Sequence, residues 1–365
     1  MRSAMQHTGH DEPLLSVRDL HAHFDTGDGV VQAVDGVSFD IHRGDVFSVV
    51  GESGSGKSVT AMSILQLIPT LKVDSGEILW KGENLLEKDT EEMDAIRGFE
   101  IAMIFQDPLT ALNPVHTVGR QVGEVARIHQ GLSRKEAMER AVEMLDLVGI
   151  PEARKRAGQY PHEFSGGMRQ RAMIAMAVVC NPDLLIADEP TTALDVTVQA
   201  QVLEALVAIK DEIDSAIMLI THDLGVVAGL SDQVMVMYAG RQAELGTVDE
   251  VFYESRHPYT LGLIGSIPRL DTDNDEPLIP IPGSPPSLIN RPSGCPFHPR
   301  CAFREVPGRC DQEVPELRPI DREHHLAACH FAETLIDIGL DDLRERLEES
   351  DVAEADTELV EVQEP

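Results

Sequence analysis

A glycine-rich octapeptide constrains this chain more than any other part of its sequence. The run Gly51-Glu52-Ser53-Gly54-Ser55-Gly56-Lys57-Ser58 follows an apolar strand candidate, Val46–Val50, and precedes a helix candidate, Val59–Ile68. Glycines let backbone N–H groups close around an anion, and the N-terminus of the next helix adds a positive potential. Lys57 is placed to reach nucleotide phosphates, and the Ser58 hydroxyl to bind Mg²⁺. The octapeptide therefore predicts a phosphate-binding loop, or P-loop, between a strand and a helix.

The composition narrows the class of protein. The 365 residues carry 63 acidic and 30 basic side chains, a formal net charge of −33. Nucleic-acid surfaces need clustered Lys and Arg, so we expect no nucleic-acid partner. The longest apolar run, Ala172–Cys180, is far shorter than the roughly 20 residues of a membrane-spanning helix. Residues 1–13 are polar and lack the apolar core of a secretory signal, which predicts an intracellular protein with a disordered N-terminus.

The acidic charge has two interpretations. An acidic tail from about residue 331 accounts for only part of it, and the rest is spread along the chain. We favour adaptation to high salt, where screening removes the self-repulsion of the carboxylates. The alternative is an ordinary acidic protein with an acidic tail.

Strand and helix patterns alternate along most of the chain. Short segments rich in Val, Ile or Phe predict four strands, at Leu14–Leu20, Val30–Val34, Val37–Ile41 and Val46–Val50. Residues from about 117 to 180 predict an inserted helical subdomain. Within it, Ser133 is a candidate N-cap for a helix over Arg134–Leu147. Further strands are predicted at Leu184–Ala187, Ala216–Ile220 and Val234–Met237, with a helix at Val196–Ile213 between the first two. This alternation predicts an α/β fold with a largely parallel core sheet.

A second set of polar residues accompanies the P-loop. The strand Leu184–Ala187 runs into Asp188, which suits Mg²⁺, and Glu189, which could orient or deprotonate an attacking water. Upstream, Ser165-Gly166-Gly167 opens an apolar helix and forms a second candidate anion site. Other polar residues follow strand candidates or open a helix in the same region, namely Gln106, Asp195 in Ala193-Leu194-Asp195, and His222.

The order and spacing of these motifs resemble those of the ATP-binding subunits of ABC transporters, over about residues 14–255. The resemblance implies a RecA-like P-loop NTPase core, with an N-terminal antiparallel β subdomain and a helical subdomain at about 110–180. It also implies ATP and Mg²⁺ as cofactors. Two such domains would pair head to tail, each ATP lying between the P-loop of one and the Ser-Gly-Gly of the other.

The same resemblance implies roles for single residues. Gln106 would contact Mg²⁺ or the attacking water, and Asp195 would communicate between the two ATP sites. His222 would contact the γ-phosphate. Phe24 would stack on the adenine, although a core phenylalanine is an alternative at this position.

Three segments resemble the oligopeptide/dipeptide permease ATPases in particular. They are the amino-acid sequence of the P-loop itself, Phe105–Pro108 with Leu112–Pro114, and Arg256–Thr260. This resemblance implies import of peptides at the cytoplasmic face of the cell membrane, and a C-terminal domain over residues 256–330. The implied partners are two transmembrane permease subunits, a second ATPase subunit (a paralogue or a copy of this chain) and an extracellular solute-binding protein. Alternatives are an importer of nickel or oligosaccharides, and a soluble ABC ATPase unconnected with transport.

Four cysteines cluster near the C-terminus, spaced C-x5-C-x8-C-x18-C as Cys295, Cys301, Cys310 and Cys329. An intracellular location disfavours disulfides, so the cluster predicts a metal site. The spacing matches neither the usual zinc pattern nor the ferredoxin runs. The resemblance to peptide permease ATPases implies a [4Fe–4S] cluster. Structural zinc is an alternative that nearby histidines would support, and free thiols or a disulfide are another. These histidines are His298, His324, His325 and His330.

Overall fold

Two β-sheets flanked by helices organise the chain. The computed structural model describes residues 12–192, 194–267, 278–336 and 338–348. The strands are β1 (Leu15–Thr26), β2 (Gly29–Ile41), β3 (Val46–Val50), β4 (Leu71–Trp80), β5 (Glu83–Asn84), β6 (Ile101–Ile104), β7 (Leu184–Asp188), β8 (Ala216–Ile220), β9 (Gln233–Tyr238), β10 (Arg241–Thr247), β11 (Arg318–Pro319) and β12 (Leu326–Ala327). The α-helices are α1 (Lys57–Ile64), α2 (Thr90–Ile96), α3 (Pro108–Ala111), α4 (Val118–Gln130), α5 (Arg134–Leu147), α6 (Ala153–Arg156), α7 (Gly166–Val178), α8 (Val196–Ile213), α9 (Leu224–Leu230), α10 (Val248–Tyr253), α11 (Pro258–Gly265) and α12 (Arg309–Gln312).

The N-terminal sheet is four-stranded and antiparallel, in the order β2-β1-β4-β5. The Asp35-Gly36 pair marks a turn in sequence but does not end a strand. Val37 pairs with Leu20 and Asp35 with the next residue, His21, so Gly36 forms an irregularity in one continuous β2. Gly36 has a positive φ of 77°, which suits glycine at a bulge. The predicted strands at Val30–Val34 and Val37–Ile41 are therefore a single strand.

The core sheet is eight-stranded, in the order β11-β12-β10-β9-β3-β8-β7-β6. Strands β9, β3, β8, β7 and β6 are parallel, as the sequence predicted, and β10, β12 and β11 continue the sheet antiparallel. Every residue of β3, β7 and β8 is buried, which explains why their sequences are apolar except for Ser48 in β3 and Asp188 at the end of β7. The carboxyl ends of the parallel strands form the edge at which ligands bind in such sheets.

The inserted helices pack beside the core sheet. Helix α5 spans the predicted residues, and its N-cap Ser133 forms a capping box with Glu136. Helix α7 packs against α4, α5 and α8, and its buried residues join one large apolar core with those of the neighbouring helices. None of the helices in the described part of the chain has the length and apolarity needed to span a bilayer.

The C-terminal region extends the core sheet. β12 pairs with β10, and β11 pairs with β12, so residues beyond 256 are built into the edge of the core. The tail predicted from residue 331 starts with a 3-10 turn, Ala332–Leu335, and residues 340–348 are helical. The rest of the tail, and residues 1–11 of the predicted disordered N-terminus, lie outside the described residues.

Candidate nucleotide-binding site

The P-loop joins β3 to α1 through a backbone path that two glycines make possible. Gly51 has φ 147° and Gly56 has φ 103°, both in the region that favours glycine. A Cβ at Gly51 would lie 2.2 Å from the Met237 carbonyl oxygen, and a Cβ at Gly56 would lie 2.4 Å from that of Ala33. Side chains are therefore excluded at both ends of the loop, and the backbone between them follows the kind of path that lets N–H groups surround an anion.

Lys57, the first residue of α1, turns its ammonium group back into the loop. Its Nζ donates hydrogen bonds to the carbonyl oxygens of Gly51 at 2.8 Å and Glu52 at 2.9 Å. Burial lowers the pKa of Lys57, while the charges of Glu189, Asp188 and Glu52 oppose that effect. A buried ammonium group at the mouth of a phosphate-sized loop is suited to receive an anionic ligand.

Ser58 and Asp188 meet beside the loop. Ser58, at the start of α1, donates a hydrogen bond from its hydroxyl to Asp188 Oδ1 at 2.8 Å. Burial raises the pKa of Asp188, and the hydrogen bond from Ser58 opposes the rise. Mg²⁺ prefers oxygen ligands and commonly takes only one or two protein groups alongside phosphates and water. The hydroxyl and the carboxylate fit that requirement.

Glu189 follows Asp188 and is surrounded by three polar side chains. Gln106 Nε2 and Thr192 Oγ1 both donate to Glu189 Oε2, at 2.9 Å and 2.8 Å, and His222 Nδ1 lies 3.6 Å from Glu189 Oε1. Glu189 has a positive φ of 47°, an uncommon backbone conformation for a residue with a side chain and one that recurs at active sites. The structure thus brings together Gln106, Glu189 and His222. Thr192 was not predicted from the sequence, although it lies only three residues after Glu189 and is therefore close enough to contact it.

The Ser-Gly-Gly motif lies in the helical layer, away from the carboxyl end of β3. Ser165 caps α7, and its hydroxyl accepts a hydrogen bond from the Met168 N–H at 3.3 Å. A Cβ at Gly167 would lie 2.4 Å from Val198 Cγ1, whereas a Cβ at Gly166 would meet nothing within 4 Å. Close packing within the chain therefore requires glycine at Gly167 but gives no reason for glycine at Gly166.

The remaining candidates occupy separate places. Asp195 caps α8 by accepting a hydrogen bond from the Val198 N–H at 3.0 Å, and Ala193 lies outside the described residues. Phe24 lies half-buried on β1, where its backbone pairs with Val31 and Leu71.

The four C-terminal cysteines line one small apolar cavity, together with Phe297, Phe303 and Phe331. Burial raises the pKa of Cys295 to about 11 and of Cys329 to about 12, and it also raises the pKa of Cys301. All four are free thiols. Within the described residues, however, no group of three or more His, Cys, Asp or Glu side chains is arranged to hold a metal ion. The sequence therefore predicted the proximity of the thiols, but the structure does not support the predicted ligand set.

The chain is similar to known proteins over most of its length. Residues 34–192 match the ABC transporter family, and residues 243–307 match the family described as oligopeptide/dipeptide transporter, C-terminal region. The dipeptide transport ATP-binding protein DppD of Bacillus subtilis is 54% identical over 87% of this chain and 94% of its own. The oligopeptide transport ATP-binding protein OppD of Salmonella typhimurium is 54% identical over 79% of this chain and 86% of its own. Among solved structures, the dimeric ATP-binding cassette MJ0796 bound to ADP and Pi has a TM-score of 0.58 at 26% identity, covering 64% of this chain and 98% of that one.

Proposed function

The chain belongs to the family of dipeptide and oligopeptide transport ATP-binding proteins, and from this premise we propose that it hydrolyses ATP to power peptide import. One observation carries the proposal for the chemistry. The carboxylate of Glu189, held by Gln106 and Thr192, lies directly after Asp188, which contacts Ser58 of the P-loop. A base for water and a site for Mg²⁺ are therefore adjacent to the phosphate loop.

The P-loop and Asp188 bind the nucleotide in this proposal. Backbone N–H groups of the P-loop surround the phosphates, apart from the Glu52 N–H, which donates to Tyr259. Lys57 exchanges its carbonyl partners for phosphate oxygens. Ser58 and Asp188 would hold Mg²⁺, which would supply charge neutralisation at the phosphates. Gln106, just after β6, would contact Mg²⁺ or the attacking water. Phe24 is proposed as the platform for the adenine.

Glu189 acts as the base. Its carboxylate takes a proton from a water molecule as the water oxygen attacks the γ-phosphorus. The bond between the γ-phosphorus and the bridging oxygen breaks, which leaves ADP and inorganic phosphate. His222, 3.6 Å from Glu189, is placed on the same side and is proposed to contact the γ-phosphate. Gln106 and Thr192 orient the carboxylate before the proton moves.

A second ATPase subunit completes the site. Gly166 faces open space, so the absence of its side chain serves no packing purpose in this chain. We propose that Ser165, Gly166 and Gly167 meet the ATP bound to the partner subunit, and that Asp195 lies at the same interface. The dimeric state of the similar cassette MJ0796 supports this arrangement. The partner is a paralogue or a copy of this chain.

The names of the relatives support peptides as the transported solute, and the match to the oligopeptide/dipeptide C-terminal region favours transport over a soluble ABC ATPase. We propose two permease subunits and an extracellular binding protein as partners, with this chain at the inner face of the membrane. The proposed domains are residues 14–255 for the ATPase and 256–330 for the C-terminal domain. Peptide uptake by a deletion strain tests the solute. Normal growth of that strain on peptides as the sole amino-acid source would contradict it.

The substitution Glu189→Gln tests the chemistry. It keeps the shape of the side chain but cannot accept the proton, so ATP should bind while phosphate release stops. Size-exclusion chromatography with ATP should then show an accumulated dimer, together with loss of phosphate release. Glu204→Gln, at an exposed position on α8, is the matched control and should behave as wild type. Normal turnover by Glu189→Gln would remove Glu189 from the proposed role.

The cysteine cavity supports a separate proposal, a [4Fe–4S] cluster or a zinc ion bound by Cys295, Cys301, Cys310 and Cys329. Its support is that four soft thiol ligands line one cavity, although their described arrangement is not itself a metal site. Metal analysis and visible absorbance of anaerobically purified protein test it. A colourless protein with neither iron nor zinc would contradict it.

Salt adaptation also stays a proposal. Its support is the net charge of −33, which belongs to the whole chain and not to the tail alone. The acidic carboxylates would repel one another in dilute buffer and would be screened in concentrated salt.

A further inference from the structure

The second residue of the P-loop, Glu52, is held by the C-terminal region. Arg300 donates two hydrogen bonds to its carboxylate, from Nη1 to Oε2 at 2.6 Å and from Nη2 to Oε1 at 3.0 Å. The Tyr259 hydroxyl accepts a hydrogen bond from the Glu52 N–H at 2.8 Å. Lys57 contacts the carbonyl oxygen. The Ser55 N–H also donates to this carbonyl oxygen, at 3.2 Å. Every polar group of Glu52 therefore has a partner, and two of the four partner residues come from beyond residue 256.

Both C-terminal partners are themselves fixed. The side chain of Arg300 is only 6% exposed, and it donates to the Pro282 carbonyl oxygen at 2.7 Å and to the Tyr238 hydroxyl at 3.3 Å. Tyr259 is fully buried, with its ring 4.6 Å from that of Tyr238 and 5.3 Å from that of Phe297. A guanidinium group and a phenol held in this way can impose one position on the Glu52 peptide and carboxylate.

The charge of Glu52 gives this contact an electrostatic consequence. A carboxylate in the P-loop belongs to the segment that must receive a triphosphate, and like charges close together repel strongly in a partly buried site. The charge of Glu52 is felt within the loop, since it is among the charges that oppose the lowering of the Lys57 pKa. The bidentate pair with Arg300 compensates the carboxylate charge.

We propose that Arg300 and Tyr259 are positioning residues for ATP binding, and that through Glu52 the C-terminal region sets the nucleotide affinity of the P-loop. The inference rests on the proposed ATPase function. It deepens that function by assigning the C-terminal region a direct action on the nucleotide site. Arg300 neutralises Glu52, and Tyr259 fixes the peptide that opens the loop.

A neutralising role predicts a sign pattern that a merely structural role does not. Removing Arg300 leaves the Glu52 carboxylate uncompensated and should weaken ATP binding. Removing the Glu52 charge leaves Arg300 as an extra cation near the phosphates, so affinity should be kept or increased. Removing both charges should restore binding. If the pair only held the fold together, every one of these variants would bind ATP less well.

Titration of the purified full-length chain with a fluorescent ATP analogue tests the pattern. We expect Arg300→Ala to weaken affinity about tenfold or more, and Glu52→Gln to bind at least as tightly as wild type. The double variant Glu52→Gln/Arg300→Ala should return to within about threefold of wild type, and Tyr259→Phe should lose about threefold. Arg309→Ala, which removes an exposed pair with Glu313 in the same region, is the matched control and should not change affinity.

Thermal melting without nucleotide separates folding from binding. If Arg300→Ala does not fold, Glu52→Gln alone decides the question, because a loss of affinity of tenfold or more in that variant would overturn the inference. Wild-type affinity in a folded Arg300→Ala would also overturn it, as would failure of the double variant to recover. These outcomes leave the proposed function intact, whereas a wild-type chain that binds no ATP would contradict the proposed function and this inference with it.

Discussion

Replacing Gly166 by alanine should make the chain more stable and at the same time inactive. Gly166 is the first residue of α7, its φ lies outside the left-handed region, and a Cβ there would meet nothing within 4 Å. Alanine restricts the unfolded chain without straining the folded one, so the free energy of unfolding should rise by about 0.4–1 kcal/mol. In the dimer, however, the added methyl group would enter the space proposed for the partner's ATP. Phosphate displaced by about 1 Å should slow turnover at least tenfold.

Two neighbouring comparisons separate these effects. Gly229→Ala lies on α9, also with open space around the Cβ, and should give the same gain in stability without loss of ATPase activity. Gly167→Ala would put its Cβ 2.4 Å from Val198 Cγ1, so it should destabilise the chain by about 1–3 kcal/mol. Stability and activity would then fall together at Gly167 but move in opposite directions at Gly166.

The assays are urea unfolding of each purified variant and ATP turnover in the assembled transporter. Urea unfolding gives the free energy of unfolding of the single chain, where the partner plays no part. Turnover requires both subunits. Wild-type turnover by Gly166→Ala would refute the assignment of Ser165-Gly166-Gly167 to the partner's nucleotide, and a loss of stability would refute the open space assigned to Gly166.

Three further predictions concern the loop, the sheet edge and the surface charge. Lys57→Ala should abolish ATP binding in equilibrium titrations, because it removes the cation facing the phosphates; unchanged affinity would contradict this. Buried Glu244 accepts hydrogen bonds from His325 at 2.8 Å and from the Arg256 N–H at 2.6 Å. Glu244→Ala should therefore lower the free energy of unfolding, measured in urea, by about 3–5 kcal/mol. A loss below about 1 kcal/mol would contradict this network of contacts. Under salt adaptation, the urea midpoint should rise in molar KCl, whereas full stability in dilute buffer would count against it.

Local signals were sufficient to predict several elements from the sequence. Helix α5 spans the predicted residues, and it begins at Arg134 because Ser133 and Glu136 form a capping box in its first turn. Strands β3 and β8 were equally clear, since both are short, wholly buried apolar segments with polar flanks. Prediction from the sequence failed where a strand forms because a neighbouring strand pairs with it. β12 is two residues long and is a strand because it pairs with β10 on one side and β11 on the other.

The site shows the same division between local and distant information. Ser58 and Asp188 are 130 positions apart; the sequence suggested Mg²⁺ for each of them, but only the fold brings them within hydrogen-bond distance. Glu52 was expected to bind nucleotide as part of the loop, but its partner Arg300 lies 248 positions away and belongs to no recognised motif. The cysteine spacing predicted that the four thiols lie close together, and they line one cavity; the metal site itself stays a prediction.

The polar groups of this site divide into contacts that ATP must replace and contacts that it can leave in place. Lys57 is bound to loop carbonyls, and Ser58 to Asp188, so phosphate and Mg²⁺ must displace these bonds. Each exchange replaces one satisfied polar contact with another. The net gain in free energy therefore comes from the attraction between the phosphate charges and loop groups that are already oriented. The bonds from Arg300 to Glu52 need not break. They compensate the charge of the Glu52 carboxylate beside the incoming phosphates. This unchanging contact with the C-terminal region should therefore determine how tightly Lys57, Ser58 and Asp188 hold ATP and Mg²⁺.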